Sequence, residues 1–296
     1  MNLRRWNDWS LIFFAAIAAC LILWGSNAAG QAFDPAGVSP ALLGKAGSGA
    51  ADTQDPGTLW TNPAGISNTE SQLAAFVTLH RNNTSAALTT DVNQSPLQTR
   101  NTKGLHVAPA LVISHPFFQQ RLHLAFGYRI GWQLETEYPL EYQGAVPTRY
   151  LGQKLDLLNH QFTLGAALNL AKFFCLGASF DIDPTFFHYQ RSLWAGFSED
   201  KDQLKNPDFD MLADFQATGV LLRGNIGLLF LPFEWLRIGI VVSLPTTLSL
   251  SAKPTLTPGS KSPSGYDNMR TENGQANIDF RLPIKVIGGI SVLPIP

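Results

Sequence analysis

Long runs in which apolar residues alternate with polar or small ones, strand-like segments of about 10 to 18 residues, and connections that alternate between short and long predict an all-β chain. The class is an antiparallel transmembrane β-barrel, here about eight strands of one, preceded by an N-terminal plug. The clearest run is Arg121 to Leu134. Leu122, Leu124, Phe126, Tyr128, Ile130, Trp132 and Leu134 share one parity, and Arg121, His123, Ala125, Gly127, Arg129, Gly131 and Gln133 the other. A strand keeps those sets on opposite faces, whereas a helix would mix them. The same parity recurs over residues 161–170 and 236–250. A soluble sandwich also alternates, with its apolar face on a packed core. Length decides for the barrel, since roughly 9 to 11 tilted residues cross a bilayer and soluble strands are mostly about five or six. The second face carries small residues (Gly127, Gly131, Gly165, Ala167, Gly177, Ser179), which suits a lumen. Aromatic residues near strand ends (Phe117, Phe118, Tyr128, Trp132, Phe173, Phe174, Phe233, Trp235) suit interfacial girdles.

Taken in order, the chain opens with Arg4 and Arg5, an apolar core from Leu11 to Trp24, and small residues at Ala28, Ala29, Gly30 and Ala32. That is the layout of a secretory signal peptide, over residues 1–32. The apolar run of about 14 residues falls short of the ~20 that a membrane-spanning helix needs. Cys20 has the setting of a lipoprotein signal, but Leu21 to Trp24 continue the apolar core, so a lipid anchor is rejected. Residues 33–70 show no strand pattern and are turn-rich, with Pro56, Gly57, Asn62, Pro63 and Gly65; they form the plug, or hatch. Residues 71–296 form the wall, with strands at about 71–89, 105–115, 121–134, 153–170, 173–187, 213–231, 235–250 and 275–293. Short connections at 115–120, 171–173 and 231–235 read as periplasmic turns. Long polar ones at about 90–104, 135–152, 188–212 and 251–274 read as outward loops, with one short helix expected from Phe209 to Phe215.

Composition excludes several functions. Without the leader, Cys175 is the single thiol, so no internal disulfide forms. The six histidines are scattered, and neither a metal nor a cofactor is implied. A net charge of −1 argues against nucleic acid as a partner. No GxSxG, Walker loop or HExxH appears, so there are no catalytic residues to assign and an enzyme is not expected. The plug also bears on barrel size. An eight-stranded barrel is filled by its own side chains, so a lumen holding about 40 plug residues needs more strands than this sequence supplies. Irregular backbone at membrane depth is tolerated in a plug because protein, not lipid, surrounds it.

The stretch LLGKAGSGAADTQDPGTLWTNPAGIS resembles the N-terminal hatch of the long-chain fatty acid transporter (FadL/TodX) family of outer-membrane proteins. A Gly/Ala-rich segment runs from Gly44 to Ala51, an acidic turn from Asp52 to Pro56, and Asn62, Pro63 and Ala64 precede the first strand. Residues 127–139, LNHQFTLGAALNL and Arg281-Leu282-Pro283 extend the likeness over about residues 33–295. The resemblance implies a multi-pass barrel in the outer membrane of a Gram-negative bacterium, surrounded by outer-membrane lipid. It implies passive uptake of hydrophobic small molecules, either long-chain fatty acids or aromatic hydrocarbons. A structural or adhesive barrel without transport is the alternative, and the plug speaks against it. Family barrels have fourteen strands, so a missing C-terminal part or a second chain would complete this one.

Family members release ligand sideways beside a kinked third strand, which implies a lateral gate at residues 121–134. Gly127 and Gly131 lack a Cβ, and Pro109 in the neighbouring strand lacks an N–H, which makes these three the candidate gate. Lumen clearance for the plug explains the two glycines equally well. The implied ligand path includes Phe33 near the mature N-terminus and Leu193, Trp194 and Phe197 in an outward loop, for which interfacial anchoring is the plainer account. Arg129 faces the lumen by parity, either toward a carboxylate headgroup or toward Asp52 or Asp55 of the plug.

Overall fold

The computed structural model describes residues 39–45, 48–53, 55–88, 97–138, 150–194, 207–259 and 275–293. The expected leader, Phe33 and Phe197 lie outside them, as does the Trp194 side chain. The hatch holds a short helix, α1 (Pro40–Gly44), and two 3-10 turns, η1 (Pro56–Trp60) and η2 (Pro63–Asn68). The strands are β1 (Gln72–Arg81), β2 (Ser85–Leu88), β3 (Leu97–Arg100), β4 (Leu105–Phe117), β5 (Leu122–Glu137) and β6 (Lys154–Ala171). They continue with β7 (Phe174–Trp194), β8 (Asp210–Phe233), β9 (Leu236–Ser243), β10 (Thr246–Pro258), β11 (Ala276–Leu282) and β12 (Lys285–Val292).

The wall is one antiparallel sheet running β1-β4-β5-β6-β7-β8. Beyond it, the inner half of β8 pairs β9 and the outer half pairs β10; β9 then pairs β12 and β10 pairs β11. This makes eight wall positions, with the seventh and eighth each divided at a proline, Pro245 and Pro283. The sheet is not closed: among the described residues β1 is paired on one side only, and so are β11 and β12.

Three expectations need correction. The first expected strand, 71–89, is divided: β1 ends at Arg81, and β2 at its far end pairs with β3, which lies within the expected loop 90–104, in a separate two-stranded sheet. Where a helix was expected, only Pro207–Phe209 is helical and β8 begins at Asp210. The long β7 explains this. It offers a ladder out to Trp194, with Leu193 opposite Met211, and Asp214 accepts hydrogen bonds from His188 (3.0 Å) and Gln190 (2.8 Å). An available partner strand outweighs a weak local helix preference. Leu193 and Trp194 therefore stand in a strand, not in a loop.

The third correction concerns parity. Below Ile130 the alternation holds: Leu124, Phe126, Leu164, Phe180 and Leu222 face outward and are exposed, while Ala125, Thr163 and Asp181 are buried in the lumen. At Gly131 the β5–β6 register shifts by one residue, a β-bulge. One inserted residue exchanges the two faces above it. Trp132, expected in a girdle, thus packs inward against a cluster that includes Leu221, Leu248 and Leu250. The break at Pro245 does the same for Leu248 and Leu250, which uninterrupted alternation would have put in lipid. The upper lumen gains an apolar cluster as a result, beside buried polar side chains such as Gln153, Asn159 and Thr185. At the opposite end, the turn between β4 and β5 holds Phe118, Gln119 and Gln120 at φ of 50°, 56° and 67°, a left-handed run that costs L-residues energy.

Candidate functional site

Each hatch turn begins with a capping side chain followed by proline. Ser39 Oγ accepts from the Leu42 amide (3.2 Å), Asp55 Oδ1 from Gly57 (2.7 Å) and Asn62 Oδ1 from Ala64 (3.0 Å), with Pro40, Pro56 and Pro63 next in the chain. A capping oxygen satisfies a free amide, and proline at the first position lacks the N–H that would need one. Ser39 Oγ also donates to Asp55, linking the first two turns. Lys45 pairs with the buried Asp52 at 2.5 Å.

The hatch is seated on glycine. A Cβ at Gly127 would lie 2.6 Å from the Trp60 ring, and one at Gly165, Gly177, Gly227 or Gly239 would fall inside 3.0 Å of Leu59, Pro63 and Ala64, Asn62, or Ala50 respectively. These positions step across β5, β6, β7, β8 and β9, so the bare surface follows the path of the hatch. Side chains then lock it. Trp60 Nε1 donates to Thr163 (3.1 Å), Asn62 Nδ2 to the Leu228 carbonyl (3.2 Å), and Asn169 Nδ2 to the Ser67 carbonyl (3.0 Å). Leu59 and Ile66 pack with Val112, Ala125 and Ala167 of the wall.

Directly above lies a charged belt. Asp181 Oδ1 accepts from Thr163 Oγ1 at 2.7 Å, and its Oδ2 accepts from Arg223 and Asn225, both at 3.0 Å. Arg223 also lies 3.7 Å from Asp183. Arg129 Nε donates to Gln161 Oε1 at 2.5 Å, and its guanidinium sits 5.3 Å from the centre of the Trp60 ring. Two arginines thus balance two aspartates between the hatch below and the apolar cluster around Leu221 above.

The wall beside this belt is split. β4 and β5 are laddered from Phe117 opposite Leu122 to Ala110 opposite Arg129. Beyond that, among the described residues, Leu105–Pro109 and Ile130–Thr136 share no ladder pair. Pro109 is the first residue past the last pair, and Gly131 is the bulge. The strands rejoin outside, where the Thr102 amide donates to the Glu137 carbonyl (2.8 Å) and the Glu137 amide to Asn101 Oδ1 (2.9 Å). Within the split, Glu135 carries the outward parity of β5, yet it reaches His106 on the lumen face of β4. The outer half of β5 therefore runs on the lumen side of β4. A separate cleft of about 560 Å³ opens at the periplasmic end, where Glu70, Lys172, Glu234 and Arg237 stand beside Leu231 and Phe233.

Residues 20–250 match the model of the outer membrane protein transport protein family (OMPP1/FadL/TodX). The chain belongs to this family. It is accordingly an outer-membrane protein, and its family is one of transport proteins. Among solved structures, a FadL homologue of Pseudomonas aeruginosa superposes with a TM-score of 0.58 at 13% identity, covering 81% of this chain and 61% of that one. The toluene transporter TbuX of Ralstonia pickettii gives 0.55 at 18% identity, with coverages of 82% and 64%. A deletion mutant of TodX, a monoaromatic hydrocarbon channel, gives 0.55 at 14%, with 83% and 64%. The chain thus spans less than two thirds of the length of these family members. No curated protein aligns with the sequence.

Placed on this FadL/TodX-like wall, the expected site residues separate into groups. Asn62, Pro63, Ala64, Gly127 and Arg129 gather at the hatch; Pro109 and Gly131 border the split; Leu193 lies far out on β7. Sequence reading missed Trp60, Thr163, Asp183 and Arg223. The lumen parity of Asp181 and Asp183 within the run FDIDP was a readable signal, because a charge on that face of a spanning strand has to be matched inside the barrel.

Proposed function

We propose that this chain forms the larger part of a plugged outer-membrane channel for passive uptake of hydrophobic compounds, with ligand leaving sideways through the split between β4 and β5. The split carries this reading. An apolar molecule descending the upper lumen past Trp132 and Leu221 meets the charged belt and the hatch, both unfavourable to it, and beside them a wall without a ladder. In this reading Pro109 and Gly131 shape the exit, Gly127 gives the hatch clearance, and Arg129 braces the hatch through Trp60. The rest of the barrel comes from a further C-terminal part or from a second chain, and outer-membrane lipid receives the ligand.

Long-chain fatty acids are the leading substrate class. Monoaromatic hydrocarbons are the second reading, supported by the toluene and monoaromatic channels among the similar structures. The test expresses the protein, with whatever follows it in its reading frame, in cells lacking such a channel, and follows radiolabelled oleate, toluene and glucose. Uptake of oleate or toluene without glucose is the expected result. Entry of glucose, or of none of the three, would rule the channel out.

A further inference from the structure

The outer part of the split is spanned by side chains. His106 of β4 is only 2% exposed, and among the described residues neither ring nitrogen has a hydrogen-bond partner. Its Nδ1 lies 3.7 Å from Glu135 Oε2 on β5. His80 of β1 stacks on the same ring, with centroids 4.9 Å apart. Among the described residues, the charged groups at neighbouring positions are Arg81, opposite Leu105, Lys103 ahead of β4, Glu137 of β5, and Asp156 of β6, opposite Glu135. Lys103 holds Glu137 at 3.4 Å and Lys154 holds Asp156 at 3.2 Å, while Glu135 is the carboxylate facing His106.

A neutral imidazole in this position leaves buried polar atoms unmatched. A protonated one gains a facing carboxylate, and a charge-assisted hydrogen bond at roughly 2.8 Å would close the present gap between the side chains by about 1 Å. We propose that His106 and Glu135 form a proton-operated clasp across the split. Protonation of His106 draws β5 onto β4 and narrows the exit; loss of the proton relaxes it. As a regulator of release, the clasp rests on the sideways-exit reading above, but its chemistry can be read separately.

The direct readout is amide hydrogen exchange over residues 105–109 and 130–136 in outer-membrane vesicles, corrected for intrinsic rates. Between about pH 7.5 and about pH 5.5, exchange slows about tenfold, the size of one charged hydrogen bond. His106→Gln and Glu135→Gln each abolish the slowing, and His80→Gln keeps it. No slowing in the parent protein, or undiminished slowing in the two clasp variants, overturns the proposal. So does a slowing lost in His80→Gln and kept in His106→Gln. Uptake of toluene, which does not titrate, falls over the same interval. Slowed exchange in a protein that takes up nothing upholds the clasp while removing the transport reading.

Discussion

The side-chain amide of Asn62 in the hatch donates to the backbone carbonyl of Leu228 in the wall, 3.2 Å away and 166 positions along the chain. The same nitrogen donates to the Ala50 carbonyl at 2.5 Å, and the amide oxygen accepts from Ala64 at 3.0 Å. Gly227 leaves the space these contacts occupy. One fully buried side chain therefore sets a turn, a crossing of the hatch over itself, and the seating of hatch on wall.

Asn62→Ala removes the cap and strips a donor from the buried Ala50 carbonyl and from the half-buried Leu228 carbonyl, so it should destabilise the folded protein by about 3 kcal/mol. Asn62→Asp keeps the capping oxygen and loses the donors, and should fall between. Urea unfolding in detergent micelles measures both. A midpoint unchanged from the parent in the alanine variant would show that the hatch is held elsewhere.

Thr163 joins hatch to charged belt, accepting from Trp60 and donating to Asp181. Thr163→Val preserves the shape but leaves the indole N–H and one carboxylate oxygen short of a partner, a loss of about 2 kcal/mol. Thr163→Ser keeps the hydroxyl and should recover most of that stability. If serine and valine behave alike, the bonds contribute nothing and only packing matters.

How far the sequence carried these conclusions depends on the range of each signal. Asn62, Pro63 and Ala64 were legible because a cap and its proline act within three residues. The lumen and lipid faces of β5 were legible up to Ile130, where the alternation is unbroken. Beyond it the pattern misled. A bulge adds one residue without changing composition, and the glycine that permits it looks like any clearance glycine, so Trp132 was read onto the wrong face. Leu248 and Leu250 were misread in the same way. Pro245 stood in view as a break, but its effect on register depends on pairing with β8 and β11. Trp60 with Thr163, and Asp181 with Arg223, meet only once the strand registers are set, which no local pattern reports.

The turn at Phe118, Gln119 and Gln120 gives a prediction of opposite sign. Glycine enters the left-handed region without the Cβ clash, so Gln119→Gly should stabilise the protein by about 1 kcal/mol, offset in part by greater freedom in the unfolded chain. Gln120→Gly should behave similarly, since that residue contributes its carbonyl to Asn169 and His123 and not its side chain. Phe118→Gly should gain less, because its exposed ring sits where a girdle contacts lipid. The comparison requires only unfolding midpoints, and a loss of stability in Gln119→Gly would contradict the strain.

The two glycines of β5 separate plug clearance from release. A Cβ at Gly127 meets the Trp60 ring at 2.6 Å and Leu59 at 2.9 Å, and both residues belong to the packed hatch. Gly127→Val should therefore displace the hatch and reduce the amount of folded protein. A Cβ at Gly131 meets the end of the Asn159 side chain, which can turn away at the expense of its 2.7 Å bond to Thr185. Valine there disfavours the bulge and favours continuous strand geometry. The parity above Ile130 would then revert, Trp132 would swing outward, and β5 would extend its ladder to β4 past Pro109. Gly131→Val should assemble nearly as the parent does while uptake of toluene falls several-fold, a loss of about 1 kcal/mol or more in the release step. Folded protein and uptake must be measured on the same cells. If Gly131→Val takes up toluene at the parental rate, the exit lies elsewhere in the wall; if it fails to assemble, the bulge serves the fold before it serves release.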